Sequence, residues 1–398
     1  MRRLFPLTFG MFVIGLDAFV LSGLLPGMAQ SLGTSVASVG QVATAFTFAY
    51  AIGSPLMAVA TAGMDRRKVA LFALAVFGLA NAVSALAPAL WVLILIRIVA
   101  GVFGGLFSPA AVSSAVSIVG PQKMGRAIST VMAGLALSTV AGVPVGVLVG
   151  AHFGWRATMW MIAALTLVAL VAVAAGVPTV SAPPPPGLKA RVGVLFDARV
   201  SGRIGIMLLF GIAQMGLVYT YLAVILAHSG HVSTGLLPVY LLVAGIASFA
   251  GNTLVGRLLD RGITPPRLLG FALGGLAVVL AAIPVAATNP VGIVVVLLLW
   301  GLAVGNVQVP LQFQLAAAVP QHASIVVSLL NSALYLGTAV GAAVGGVVLA
   351  SAGPGPLGPI AAAVVVVAFV LNVVFAVRAA KKPQAAKGEE GAAEASVS

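Results

Sequence analysis

Cysteine is absent from the 398-residue chain, which excludes a disulfide framework, a thiolate metal site and a cysteine nucleophile. Charge is nearly as scarce. Charged residues make up 7% of the chain, against roughly 25% in an ordinary soluble protein, so there is too little polar surface to coat a globule in water. Acidic residues number seven and histidines four. His152, His228, His231 and His322 are scattered between apolar runs with no acid near them in sequence. Neither a histidine-built metal site nor the nucleophile–base pair of an enzyme has its parts here, and no cofactor is expected. The chain is instead 61% apolar, with a mean hydropathy of +1.19.

The apolar residues fall into twelve runs, at about 5–28, 38–62, 69–87, 90–112, 127–150, 157–177, 203–227, 234–257, 267–287, 291–314, 324–350 and 357–377. Each is long enough to cross about 30 Å of hydrocarbon as a helix. Helix is the default where no water satisfies the backbone, and the runs lack the alternation of barrel strands. A net charge of +13 would suit a nucleic-acid partner only if the basic residues shared one soluble face. They do not. Arg2 and Arg3, then Arg66, Arg67 and Lys68, then Lys123 and Arg126, stand on one set of alternate connections. The same set holds Lys189, Arg191, Arg199 and Arg203, then Arg257, Arg261 and Arg267, and finally Arg378, Lys381, Lys382 and Lys387. Of the 20 basic residues only Arg156, on an opposite connection, and Arg97, inside a run, are left over. The positive-inside rule therefore predicts twelve spans with both termini cytoplasmic. Arg2 and Arg3 before an apolar run also resemble a signal peptide, but the run is longer than an h-region and eleven more follow, so it is read as the first helix.

The longest polar connection contains Pro183-Pro184-Pro185-Pro186 and splits the runs six and six. The expected domains are a six-helix bundle over 1–178, a cytoplasmic linker over 179–202, a second six-helix bundle over 203–378, and a polar, disordered cytoplasmic tail over 379–398. The fold class is all-α membrane protein, with two pseudo-symmetric bundles. Internal repetition supports this: Asp65-Arg66 follows the second run and Asp260-Arg261 follows the eighth. Small residues recur on one helix face at Ala45, Ala49 and Gly53, at Ser138, Gly142, Gly146 and Gly150, at Ala244, Ser248, Asn252 and Gly256, and at Gly337, Gly341 and Gly345. Such stripes permit close helix approach and are expected to form the rocking contact between the halves.

Asp17 is the one acid inside a run, about 18 Å along a helix that starts near Phe5. A carboxylate at that depth costs roughly 2.5–3.5 kcal/mol on insertion scales, which points to a function; Arg97 is its matching cation. Two readings stand side by side: the two residues handle protons or a cationic substrate, or they satisfy each other and fix packing. Other in-span polar groups are Gln41, Gln214, Tyr221, Asn306, Gln308, Gln312, Asn331 and Tyr335. Of these, Gln214, Tyr221, Gln308, Gln312, Asn331 and Tyr335 are the substrate-binding candidates, with interhelical hydrogen bonding as the alternative role. Trp300, Phe103 and Phe107 could stack on a substrate or simply pack. Trp91 and Trp155 read as interfacial anchors.

Several stretches together resemble the major facilitator superfamily, in its twelve-span drug–proton antiporter branch, which includes sugar-efflux members. They are Gly15-Leu16-Asp17 through Pro26, Asp65-Arg66-Arg67-Lys68, Arg97-Ile-Val-Ala-Gly101, Gly142-Val-Pro144-Val-Gly146 and Gly154-Trp155-Arg156. The resemblance implies cytoplasmic gating by Asp65 and Arg66, with Asp260 and Arg261 as their repeat, proton coupling through Arg97 with Asp17, and an antiporter motif at Gly142, Pro144 and Gly146. The loop motif's leading glycine is Thr61 here, and the glutamine usual three residues after the arginine is Ala100. The expectation is a monomeric, multi-pass transporter of a bacterial inner membrane. It would export small amphiphilic molecules, antibiotics among them, in exchange for protons by alternating access. Sugar or metabolite efflux on the same fold is the alternative.

Overall fold

The computed structural model describes residues 2–61, 63–119, 124–179, 193, 198–228, 236–319 and 323–395. Among these, 12 helices are long and apolar enough to cross a membrane. Spans 1 to 6 are Phe5–Ser31, Val36–Met57, Arg66–Ala85, Leu90–Val119, Ala127–Phe153 and Trp155–Gly176. Spans 7 to 12 are Val200–Tyr219, Leu237–Leu259, Pro265–Ala286, Pro290–Leu315, Leu329–Ala352 and Leu357–Arg378. Each overlaps one apolar run of the sequence. The even number returns the chain to the side on which it begins, called here the terminal side; the opposite is the distal side.

The spans start where the sequence supplies a signal. Asp65 caps span 3 by accepting a hydrogen bond from the Lys68 amide at 3.0 Å, and Asn289 does the same for span 10 through the Val291 amide at 2.8 Å. Pro290 and Pro265 occupy first-turn positions, where a missing N–H costs nothing. Gly154, with φ at 83°, lets span 5 turn directly into span 6.

Of the expected linker, residues 180–192 and 194–197 lie outside the described residues, as do Lys123, His231 and His322, while 198–202 begin the helix Ala198–Phe210. The tail expected to be disordered instead continues the last helix, which runs from Leu357 to Ala395. Its alanines, glutamates and lysines are strong helix formers.

Two helix contacts recur in both halves. A Cβ on Gly101 or Gly105 of span 4 would collide with the carbonyls of Phe46 and Tyr50 of span 2. One on Gly301 or Gly305 of span 10 would collide with those of Ala244 and Ser248 of span 8. Likewise Gly134 of span 5 meets the Thr8 carbonyl of span 1, and Gly337 of span 11 meets that of Leu208 in span 7. These paired backbone contacts are the physical substance of the internal repeat.

They also correct the expected use of the small-residue stripes. The span 5 stripe faces span 1, with Gly142 against Phe12, Gly146 against Val20 and Gly150 against Leu24. The span 11 stripe faces span 7, and those of spans 2 and 8 face spans 4 and 10. All four stripes bind helices within a half, because bare backbone is worth most where two helices must touch along their length. Contacts between the halves use other faces of the same spans. Tyr50 stacks on Tyr335 with ring centroids 4.0 Å apart, Gly245 packs on the backbone of Thr139 and Val140, and Gly346 packs on Ala37 and Gln41.

Candidate functional site

Span 1 presents two different faces at one level. Asp17 and Phe19 are two residues apart, so about 200° separates them around the helix. Asp17 points into its own half. Arg97 of span 4 donates to both carboxylate oxygens, Nη1 to Oδ1 at 2.7 Å and Nη2 to Oδ2 at 2.8 Å. Both side chains are fully buried.

Two further groups complete the setting. Asn81 of span 3 accepts from Arg97 Nη1 at 3.2 Å and donates through Nδ2 to the Phe77 carbonyl at 3.1 Å. The guanidinium carbon lies 4.5 Å from the centroid of the Phe46 ring of span 2. The cation is therefore held by a carboxylate, an amide and an aromatic face, each of which stabilises charge in a dry interior. The sequence reading paired Asp17 with Arg97 correctly. It missed Asn81 and Phe46, although an asparagine in a run as apolar as span 3 is itself a signal.

Phe19 points the other way, across to the second half. Its ring meets Tyr219 of span 7 edge-on at 6.0 Å, and Tyr219 in turn lies 6.0 Å from Trp300 of span 10. The backbone is irregular on both sides of this cluster. Residues Gly211–Tyr219 form a π-helix, which carries Gln214 and Tyr219, and span 10 breaks at Asn306 and Val307 between the helices Pro290–Gly305 and Gln308–Ala318. Such departures inside a membrane are tolerated where protein or a cavity surrounds them. Gln214 and Trp300 are buried, and neither Gln214 Oε1 nor Trp300 Nε1 has a hydrogen-bond partner.

The remaining candidates separate. Tyr335 is buried against Tyr50. Tyr221 donates to the Ala342 carbonyl at 2.7 Å and fills the space beside Gly40, Gly345 and Gly346, so it clamps span 7 to spans 2 and 11. Gln308, Gln312 and Asn331 are half-buried. Phe107 packs on Gly10 and Phe103 on Phe72, inside the first half. Trp155 is buried beneath the Arg156 guanidinium at 4.4 Å, whereas Trp91 is exposed. Arg156 itself joins the distal ends of spans 1 and 3, donating to Ser31 Oγ at 2.8 Å and to the Ala87 carbonyl at 3.1 Å.

On the terminal side, Arg66 is buried and donates to the Thr61 carbonyl at 3.2 Å, and Arg67 donates to the Ala174 carbonyl of span 6. Asp260 closes the helix Leu237–Asp260, with exposed Arg261 after it; the Asp260 side chain lies outside the described set. Gly142 ends a five-residue π segment that starts at Ser138, and Pro144 sits in the first turn of the helix that resumes. No group of three or more metal-ligating side chains occurs among the described residues.

The chain matches the profile of the Major Facilitator Superfamily over residues 7–342. It is 32% identical over 352 residues to the inner membrane transport protein YdhP of Escherichia coli (strain K12), covering 88% of this chain and 90% of that protein. It is 32% identical over 382 residues to a chloramphenicol resistance protein of Streptomyces lividans, covering 94% and 96%. Among solved structures, the partially occluded inward-open xylose transporter XylE from E. coli superposes with a TM-score of 0.75 at 15% identity, over 94% of this chain and 96% of that one. This likeness carries the fold alone. A twelve-span helical chain that repeats its own contacts and matches this profile along most of its length belongs to the Major Facilitator Superfamily, a family of membrane transporters.

Proposed function

We propose that this transporter exports small amphiphilic molecules in exchange for protons, by alternating access. The observation that carries the reading is the Asp17–Arg97 pair, a fully buried carboxylate held by both arms of a guanidinium. Removing one member of a buried pair costs about 3–5 kcal/mol because the other is left uncompensated. Protonation of Asp17 does this chemically. It releases Arg97, and the strain is relieved by moving span 1 relative to spans 3 and 4. Phe19, on the opposite face of span 1, moves with it, so loading a proton alters the wall facing the second half. A proton crossing 100 mV supplies about 2.3 kcal/mol, comparable to the cost of breaking the pair. The correspondence that relates Gly101 to Gly301 sets the buried Leu297 against Arg97, and span 7 carries no acidic residue among the described residues to match Asp17. Coupling then resides in the first half and the second half answers it.

The basic connections put the terminal side in the cytoplasm of a bacterial inner membrane. Asp65 and Arg66 gate that side, with Asp260 and Arg261 as their repeat. Pro144, in the first helical turn past the π segment, forms the antiporter motif with Gly142 and Gly146. The protein acts as a monomer, with 1–178 and 203–378 as its bundles. Export of antibiotics is favoured over sugar efflux by the chloramphenicol resistance relative, and by the few hydrogen-bonding groups in the central cluster, where a sugar needs many. The test is chloramphenicol transport by the purified protein in proteoliposomes with an imposed pH gradient. Wild type should accumulate the drug against its gradient. Asp17→Asn should lose gradient-driven transport at least ten-fold while still inserting and folding; full transport by that variant removes Asp17 as the coupling group.

A further inference from the structure

Two arginines on the terminal side of the second half are left unused by the protein. Arg66, Arg67, Arg97, Arg156 and Arg203 each donate to a described group. Arg267 and Arg378 are exposed and donate to none. They stand on neighbouring helices. Spans 9 and 12 pack together, with Asn372 Nδ2 donating to the Pro266 carbonyl at 3.0 Å and the Phe369 ring set against Gly270 and Gly274. Span 9 runs from the terminal to the distal side and span 12 runs back, so the pair is antiparallel.

Helical phase decides which flank of this pair each exposed residue occupies. One residue on from a contact is about 100° around the helix. In an antiparallel pair of right-handed helices that step carries both chains to the same flank. On span 9 it leads from Pro266, Gly270 and Gly274 to Arg267, Phe271 and Gly275. On span 12 it leads from Phe369 and Asn372 to Val370 and Val373, with Val377 one turn further. All of these following residues are exposed. The valley between the helices is therefore apolar on this flank, and it is open at Gly275, where a Cβ would meet nothing within 4 Å. Arg267 closes its terminal end on span 9, and Arg378 follows Val377 on span 12. Asn372 is level with Pro266, so Arg378 stands about 9 Å beyond the start of span 9. The two cations thus cover the depth of one headgroup layer, about 5–8 Å.

An apolar valley that ends in unpaired guanidinium groups matches a phospholipid, with an acyl chain along the valley and the phosphate at the arginines. A soluble anion matches the charge alone. A zwitterionic lipid brings its own cation to the same place, which favours a headgroup of net negative charge. The first half has no equivalent. Arg67 of span 3 is tied to the Ala174 carbonyl of span 6, and no basic residue follows span 6 before Lys189.

We infer that the flank between spans 9 and 12 binds an anionic phospholipid of the terminal leaflet, its phosphate held by Arg267 and Arg378 and an acyl chain lying past Gly275. The inference makes no use of the efflux reading, and failure of either leaves the other untouched.

Native mass spectrometry of the purified full-length protein tests it, from detergent doped equally with dioleoyl-phosphatidylglycerol and dioleoyl-phosphatidylcholine. Wild type should retain phosphatidylglycerol about five-fold over phosphatidylcholine, or more. Arg267→Gln and Arg378→Gln should each weaken phosphatidylglycerol retention about five-fold, the loss expected for one cation near a membrane surface. Arg3→Gln removes an exposed cation from the first half and should change retention little. Gly275→Leu keeps every charge and replaces open space, yet should weaken retention roughly as much by filling the notch. None of these positions is buried, and an unchanged melting temperature verifies the fold of each variant. Equal retention of the two lipids overturns the inference. So does an Arg3→Gln effect as large as that of Arg267→Gln, which would mean a diffuse surface charge, or undiminished retention in Gly275→Leu. Displacement of the lipid by glycerol 3-phosphate would also overturn it, as the mark of a site for soluble phosphate.

Discussion

At the scale of single residues, Arg97 shows how a membrane interior accommodates a full charge. Its guanidinium meets the Asp17 carboxylate, the Asn81 amide and the Phe46 ring within one shell. Asn81 is the neutral member, and it is fixed at its other end by the Phe77 carbonyl. Held between the Phe77 carbonyl and Arg97, it positions the cation. Asn81→Leu should lower stability by about 1–3 kcal/mol, since it leaves one arm of the buried guanidinium short of an acceptor. Thermal unfolding in detergent would read this as a lower midpoint, and an unchanged midpoint would show that Arg97 does not depend on Asn81. A search of the sequence for acids and bases found the ion pair. It could not find the amide or the ring, because neither carries a charge and their proximity depends on how spans 2 and 3 pack.

At the scale of elements, the glycines decide which helices touch. Gly101 and Gly301 allow backbone contact between spans 4 and 2 and between spans 10 and 8. Gly101→Val and Gly301→Val should each destabilise the protein by about 1–3 kcal/mol, the usual cost of overpacking, because the obstructing atoms are main-chain carbonyls that cannot swing aside. Were the stripes of spans 2 and 8 a sliding surface against the other half, these substitutions on spans 4 and 10 would not meet them and the unfolding midpoint would stay unchanged. The stripes were legible as helix faces, since a spacing of four residues places them in line. Which neighbour each face meets was not legible, for a bare face suits any partner equally. The π segments at Ser138–Gly142 and Gly211–Tyr219 and the break at Asn306 were equally hidden, as no single residue type compels an extra residue in a helical turn.

At the scale of the whole molecule, the described contacts between halves run from the distal end, where Gly346 meets Ala37 and Gln41, to the Tyr50–Tyr335 stack deeper in. The conformation is thus one in which spans 2 and 11 are drawn together on the distal side. Opening that side requires these spans to part. Because the natural chain has no cysteine, an Ala37→Cys/Gly346→Cys protein carries a single cross-linkable pair. A Cβ at Gly346 would lie 3.2 Å from the Ala37 carbonyl oxygen, close enough for a disulfide to be attempted. Oxidation should stop transport at least ten-fold and reductant should restore it. Undiminished transport by the oxidised protein would mean that the distal contact does not open in the cycle.

The sequence by itself determined the solvent, the number of spans, the internal repeat and the presence of one acid and one base, Asp17 and Arg97, at a similar depth inside the spans. Each of these follows from quantities that need no partner: run length, charge placement, and the cost of a lone carboxylate in hydrocarbon. Tertiary structure alone decided that Asp17 turns into its own half while Phe19 turns outward, that Tyr221 is a clamp, and that Gln214 and Trp300 are left with unused polar atoms. Those outcomes depend on helix rotation. A rotation of half a turn exchanges a lipid-facing residue for a buried one while leaving composition, hydropathy and spacing unchanged.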